Sequence, residues 1–426
     1  MNLDRFSRWQ LIAMFGGIIV VIAVVLGVAI GVPLSKRSTD ETALETAKRI
    51  LTETPLIDGH NDLPWQYFTN AKNKLADVPL QNDLRVHWPD PPSNIPSQTD
   101  IPRLREGLVG AQFWAAYVRC STERLDAVRN TLQQIDIIKR YVKKYPQTFT
   151  FVGSVQEIRD AFADGKIGSM IGVEGGHSID SDLATLRMFY ELGVRYMTIT
   201  HSCNTPWADN WLVESGDHEP TANGLSEFGK TVIREMNRMG MLVDLSHVAF
   251  TTMRDALEVA EAPVIYSHSS AYALCNSTRN VPDDILQLVR ENEGVVMVNF
   301  YTLYISCNQA FATLSQVADH IDYIKDVAGV DYVGIGGDYD GVSFLPEGLE
   351  DVSKFPFLFE ELVNRGWTEE DLKKLAGENL LRVLAKTEEV RDSKADMDPY
   401  DDWIEPEAVT TYNCRANFSQ ATGIGA

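Results

Sequence analysis

Residue types that bind metal ions or move protons stand just after short apolar runs. His60 and Asp62 follow the first run, Glu174 the third, His201 the fourth, His247 the fifth, His268 the sixth and Asp338 the eighth. Along an extended segment side chains alternate with a period of two, so His60 and Asp62 project to one side and can share an ion. Asp-Gly-His-Asn-Asp is also good turn chemistry. Adding Glu174, His247 and His268 points instead to zinc, because imidazoles and carboxylates converging from several segments make up such a site. Five ligands are too many for one tetrahedral zinc with an open position. They suit two zinc ions per chain, sharing a bridging carboxylate and a bridging hydroxide.

The elements that must position these groups are legible as a series. Runs rich in β-branched residues occur at Leu56-Ile57, Gln112–Val118, Ile167–Val173, Val194–Thr200, Met241–Leu245, Pro263–Ser267, Val295–Phe300 and Tyr332–Gly336. Each reads as a strand. Between them, Glu123–Lys144, Asp182–Leu192, Ser226–Met239 and Leu314–Val327 have helical periodicity and lengths suited to crossovers. The alternation predicts an α/β fold, a (β/α)8 TIM-type barrel with a binuclear metal site at its C-terminal face. A doubly wound open sheet is the competing architecture, but in Gly334-Ile-Gly336-Gly-Asp338-Tyr339 the third glycine of a dinucleotide fingerprint is a tyrosine. Asp338-Tyr-Asp340-Gly341 lacks the distal Glu of a calcium loop. His177 reads as a helix-start or loop residue, and His87, His218 and His320 as surface residues.

Several segments together resemble the membrane (renal) dipeptidases. They are Ile57-Asp-Gly-His-Asn-Asp-Leu-Pro-Trp65, Ile171-Gly-Val-Glu-Gly-Gly-His-Ser-Ile-Asp180, Thr200-His-Ser-Cys-Asn-Thr-Pro-Trp-Ala-Asp-Asn-Trp211, Asp244-Leu-Ser-His-Val248, Pro263-Val-Ile-Tyr-Ser-His-Ser-Ser-Ala-Tyr272, Arg279-Asn-Val-Pro-Asp-Asp284 and Gly336-Gly-Asp-Tyr-Asp-Gly341. The resemblance runs in unbroken order from about Thr54 to Leu384. It implies a zinc-dependent peptidase in which His60, Asp62 and the bridging Glu174 hold one zinc, and Glu174, His247 and His268 the other. It also implies that His201 touches the scissile-bond oxygen, that Asp338 handles protons, and that Arg279 and Tyr304 hold the substrate carboxylate. The chemistry agrees: the hydroxide would attack the peptide carbonyl, His201 and zinc would stabilise the oxyanion, and Asp338 would carry a proton to the leaving amine. Dipeptides are the expected substrates. A deaminase or lactonase of the same barrel type would share the metals without needing Arg279, and a silent binding protein would be expected to have lost a ligand.

Composition sets the surroundings of this chemistry. The chain has 426 residues, with 38 basic against 60 acidic side chains and a net charge of −22, so nucleic acid is not an expected partner. No charged residue occurs between Arg8 and Lys36, and Leu11 to Leu34 is a long enough apolar stretch to cross a bilayer. The expected organisation is a cytoplasmic tail (1–9), a transmembrane signal anchor (10–34), a polar stem (35–50), the catalytic barrel (51–390) and an acidic C-terminal segment (391–426). A cleaved signal peptide is the competing reading of the N-terminus. The chain ends without the hydrophobic tail that a glycolipid anchor requires, so the N-terminal helix is expected to do the anchoring. That makes a single-pass type II protein of the plasma membrane with its barrel outside, consistent with sequons at Asn276 and Asn417. Of the five cysteines, Cys275 and Cys307 follow neighbouring strands and Cys120 and Cys203 follow the second and fourth. The resemblance implies the pairs Cys275–Cys307 and Cys120–Cys203. Cys414 is left over, and a disulfide-linked homodimer through it is expected.

Overall fold

Runs buried on both faces must be apolar throughout, which is why the strands here read as continuous β-branched stretches rather than as alternating ones. A computed structural model describes residues 41–88, 96–308 and 310–409. The predicted anchor, the cytoplasmic tail, Cys414 and Asn417 lie outside the described residues, and no helix among those described is long and apolar enough to cross a membrane.

Nine parallel strands form one sheet: β1 (Leu56–Asn61), β2 (Val109–Tyr117), β3 (Phe149–Phe151), β4 (Ile167–Glu174), β5 (Val194–Thr198), β6 (Leu242–Asp244), β7 (Ile265–Tyr266), β8 (Val295–Val298) and β9 (Val333–Ile335). β2 pairs with both β1 and β4, and β1 pairs with β9, so all but β3 close into an eight-stranded ring. The barrel is therefore the expected TIM type. β3 is the strand the sequence reading lacks: it pairs with Ile167–Ser169 at the start of β4, on the edge that β5 takes over from Ile171 onward. The β1–β9 seam is thin, with Asp58 opposite Ile335 as its one register pair within the strands and Asn61 opposite Tyr339 just beyond β9; β6–β7 likewise has the single pair Asp244 opposite Ile265.

Crossover helices surround the ring, among them Ala127–Lys144, Leu183–Glu191, Glu227–Met239 and Leu314–Val327. Their starts are chemically marked. Ser226 accepts from Gly229 N, Asp182 from Ala184 N and Thr185 N, and Thr313 with Gln316 forms a reciprocal capping box. Ile57, Phe113, Met170, Tyr196, Leu242, Ile265 and Met297 fill the barrel and pack with Leu380, Leu381 and Leu384 of the helix Asn379–Ser393. Part of the predicted stem behaves differently. Ala43–Glu53 is a helix whose Ala47, Ile50 and Leu51 are buried against Phe355–Asn364, and Arg49 pairs with Glu369. The spacing of three and then one is an amphipathic helix stripe, masked in the sequence by the charged residues around it.

Candidate active site

Each strand that ends in a polar residue delivers it to the same end of the barrel. His60 is the penultimate residue of β1 with Asp62 just beyond the strand, and Glu174 is the last residue of β4. His201, His247, His268 and Asp338 follow β5, β6, β7 and β9 by two or three residues. These seven side chains converge. Glu174 Oε1 lies 3.1 Å from His247 Nε2, 3.4 Å from His268 Nε2 and 3.7 Å from His201 Nε2, while its Oε2 lies 3.6 Å from His60 Nε2. Asp62 Oδ2 is 3.1 Å from His60 Nε2, and Asp338 joins this pair within ligand distance. Gly341 makes room: a Cβ there would fall 2.3 Å from Asp62 Oδ2 and 2.6 Å from Asp338 Oδ1.

The backbone is bent to achieve this. His247, Asp338 and Asp340 have φ of 67°, 60° and 65°, a region non-glycine residues seldom occupy. Such conformations persist only where surrounding bonds over-determine them. His247 O accepts from Trp211 N and Thr200 Oγ1, and Asp338 N donates to His60 O.

The donor set fits a divalent metal. His60 Nε2 is buried without a hydrogen bond although two carboxylate oxygens stand within 3.6 Å, and the His247 and His268 Nε2 atoms face each other at 2.9 Å. Atoms so arranged are suited to ligating one cation together. Electrostatics say the same. Burial holds His247 and His268 well below the ordinary imidazole range, neutral and able to ligate. Burial opposes ionisation of Glu174, but His60, His201 and hydrogen bonds from His247 and His268 hold its carboxyl well below the usual range. Burial also works against a charge on His60, yet Tyr196, Glu174 and Asp62 raise its pKa well above normal, so a proton there carries positive charge where a cation would. Asp62 is raised, chiefly by burial.

Two of the imidazoles, those of His268 and His60, are oriented from behind. His268 Nδ1 meets Ser267 Oγ at 2.7 Å, and Ser267 Oγ reaches Asp244 Oδ2 at 2.6 Å. Asp244 also accepts from Thr198 Oγ1, Ser246 N and Ser267 N. Because that carboxyl accepts throughout, Ser267 donates to it and receives the Nδ1 proton of His268, which leaves the Nε2 lone pair facing inward. His60 is oriented by a neutral group instead: its Nδ1 lies 2.9 Å from the Tyr196 hydroxyl, which donates to Gly59 O. Asp58, raised to about 6 by burial, accepts from Gly337 N, His60 N and Gln112 Nε2 and thereby ties β1 to the loop carrying Asp338.

Around the ligands stand the groups predicted to meet substrate. His201 keeps 17 % of its side chain exposed, rests on the rings of Tyr117 and His247, and is lowered to about 4 by burial. Asp338 is raised well above the carboxylate range by burial, with Asp62 and Glu174 adding to it. Arg279 is buried. Its guanidinium reaches Ser269 Oγ and His268 O at 3.3 Å and lies 5.3 Å from the Tyr304 ring, and its Nε has no partner. Burial pushes Tyr304 up to about 12.

The cysteines pair as Cys120–Cys203 and Cys275–Cys307, with Cα separations of 5.8 and 5.3 Å, both on the active-site side. Cys120 Sγ lies 3.8 Å from His201 Nδ1. Asn276 is exposed. His177 sits in a single turn, buried, with Nε2 3.0 Å from Val118 O. His87 is exposed and His218 half-buried, but His320 is not a surface residue: it is 1 % exposed. Its helix neighbours Asp319 and Asp322 are polar, and the partners that bury it are distant in sequence. Tyr196, Asp244 and Ser267 were not singled out from the sequence. Their signal was proximity, since Ser267 directly precedes His268 and Asp244 stands three before His247.

A family model described as membrane dipeptidase (peptidase family M19) matches residues 44–397. The chain is 44 % identical over 380 residues to Dipeptidase 3 of Mus musculus, an alignment covering 89 % of this chain and 74 % of that protein. A metallo peptidase from Rhodobacter sphaeroides, liganded with a phosphinate mimic of the dipeptide L-Ala-D-Ala, superimposes with a TM-score of 0.68 at 27 % identity, over 78 % of this chain and 99 % of that one. Dipeptidase AC, a metallo peptidase of family M19, gives a TM-score of 0.69 at 27 % identity over 78 % and 98 %.

Proposed function

Because this chain belongs to the membrane dipeptidase family M19 and is a metallo-dipeptidase, we propose that it hydrolyses dipeptides with two zinc ions per chain, at the outer face of the plasma membrane. The single observation that carries the metal assignment is Glu174, whose two oxygens each face imidazole nitrogens from opposite sides of the pocket. His60, Asp62 and Glu174 would hold one ion and Glu174, His247 and His268 the other. Zinc in such a site acidifies a water from a pKa of about 15.7 towards 7 and polarises the carbonyl to be attacked.

The chain's own residues do the rest. His201 is neutral at physiological pH and presents Nε2 to the pocket, so it can donate a hydrogen bond to the carbonyl oxygen as that oxygen becomes negative. Asp338 stands beside Asp62, in position to take a proton from the attacking water and then pass that proton to the leaving amine. Arg279 has donors left over, and its fork matches a free carboxylate. With Tyr304 against it, it would grip the substrate's C-terminus. The phosphinate dipeptide mimic bound by the Rhodobacter relative supports this substrate class. Membrane attachment through the charge-free N-terminal stretch, glycans on Asn276 and Asn417, and pairing of Cys414 between two copies complete the proposal.

The test is elemental analysis and dipeptidase assay on the same purified ectodomain. About two zinc ions per chain, with activity lost to chelators and regained with zinc, is the expected result. Active protein free of transition metal would overturn it. Dipeptides should be cleaved in preference to esters and lactones.

A further inference from the structure

A buried arginine can grip a carboxylate tightly only if it cannot move away, and Arg279 has little of its own to hold it. Its hydrogen bonds to the Ser269 hydroxyl and the His268 carbonyl are both 3.3 Å long, and beyond them it leans on Tyr304, 5.3 Å from the ring. The two residues come from different loops. Arg279 lies between β7 and the helix Asp283–Glu291, and Tyr304 in the short helix Thr302–Ser306 after β8. Something must fix one loop against the other.

Asn280 does part of this, its Oδ1 accepting from Ser270 N at 3.2 Å and its Nδ2 donating to Cys275 O at 2.9 Å and Tyr304 O at 2.8 Å. The Cys275–Cys307 disulfide ties the same loop covalently to the residue that ends the Tyr304 helix, and a further link comes from outside both loops. His320, on the helix Leu314–Val327, accepts from Ala271 N with Nδ1 at 3.0 Å and donates to Ile305 O with Nε2 at 2.8 Å. One backbone partner supplies an N–H and the other a C=O, so only a neutral group with one acceptor and one donor at this spacing serves both. Burial lowers the His320 pKa and keeps the ring in that neutral form.

We propose that His320 is a positioning residue for the carboxylate clamp, bolting the Arg279 loop to the Tyr304 helix and so setting the affinity for substrates with a free C-terminus. This rests on reading Arg279 as the clamp. His320 touches neither substrate nor metal ligands. Its loss therefore changes KM for dipeptides far more than kcat, and leaves bound zinc unchanged.

The experiment compares a dipeptide with its C-terminal amide on the full ectodomain, with zinc content measured alongside. His320→Phe keeps the ring's bulk and loses both hydrogen bonds. It should raise KM for the dipeptide about 10- to 100-fold, the scale of leaving a buried backbone N–H or C=O without its partner, and narrow the preference for acid over amide. His320→Gln, which carries one acceptor and one donor, should restore both. His320→Asn, which can replace the contact to Ala271 N but is too short for Ile305 O, gives an intermediate KM and supplies the reading where the Phe variant does not fold. Wild-type KM and preference in the Phe or Asn variant, or an effect on kcat and zinc content in place of KM, would overturn the proposal. Arg279→Leu is measured in parallel. If it leaves the preference intact, the clamp reading fails. If it abolishes the preference while the His320 variants do not, the failure belongs to His320 alone.

Discussion

Removing one hydroxyl beneath His268 should weaken one metal site and spare the other. Ser267→Ala deletes the acceptor of the His268 Nδ1 proton at 2.7 Å. Asp244 is not orphaned by the change, because Thr198 Oγ1, Ser246 N and Ser267 N still donate to it. The cost is thus confined to one buried N–H left without a partner, about 1–3 kcal/mol. Groups behind a metal-bound histidine typically contribute about 10–100-fold in affinity, which is about 1.4–2.7 kcal/mol and agrees with that figure. Competition titration against a coloured zinc chelator should therefore show the ion on the His247–His268 side released about 10–100-fold more readily, with the second step unchanged. Tyr196→Phe gives the mirror image, because it removes the acceptor of His60 Nδ1. If Ser267→Ala leaves both steps within about threefold of wild type, the serine–carboxylate relay does not orient His268 and the reasoning fails.

Further outcomes follow from other residues. Asp338→Asn should retain zinc and lose about 10²–10⁴ in kcat, the scale of general acid–base catalysis, and near-normal turnover would remove Asp338 from the proton path. His177 and His320 are buried with their pKa values lowered by that burial, so the unfolded chain takes up protons below the ordinary value of 6.5 where the folded one does not. Stability should accordingly fall as pH drops through that value, and His320→Gln should lose less Tm than wild type between about pH 7.5 and pH 5.5; parallel losses would contradict this. Non-reducing electrophoresis should show a covalent dimer that Cys414→Ser abolishes, and a dimer surviving that substitution would refute the assignment.

What the sequence displayed was the part of the site that follows strand ends. Seven polar residues after β-branched runs could be placed on one face because a parallel barrel leaves no other end for them. β3 escaped because three residues, Phe149–Phe151, carry too little pattern to distinguish a strand from a turn. The helix Ala43–Glu53 escaped because its buried stripe is flanked by Glu45, Lys48 and Arg49, which read as a solvated stem. His320 was legible only as one histidine between aspartates. Its partners Ala271 and Ile305 are 49 and 15 residues away, and no local spacing reports on them. The groups that orient ligands from behind were invisible for a related reason: a serine, a tyrosine and an aspartate acquire their roles from the fold, not from their own type.

The β1–β9 seam has a consequence for how the protein is made. The first and last barrel strands meet at one register pair, supplemented by Gly337 N to Asp58 Oδ1 across 279 residues, Asp62 N to Tyr339 O and Asp338 N to His60 O. Joining segments so far apart is the costliest loop closure in the domain, and it comes only after almost all of the barrel has been synthesised. His60 and Asp62 lie on one lip of that seam and Asp338 on the other. A nascent chain can assemble Glu174, His247 and His268 while the ring is still open, but the His60–Asp62 corner takes shape only as it closes. On the proposed two-zinc reading the His60–Asp62 site would mature last, and an ion bound there would act as a latch, drawing free energy from binding to hold shut a joint that the backbone ladder secures with few pairs.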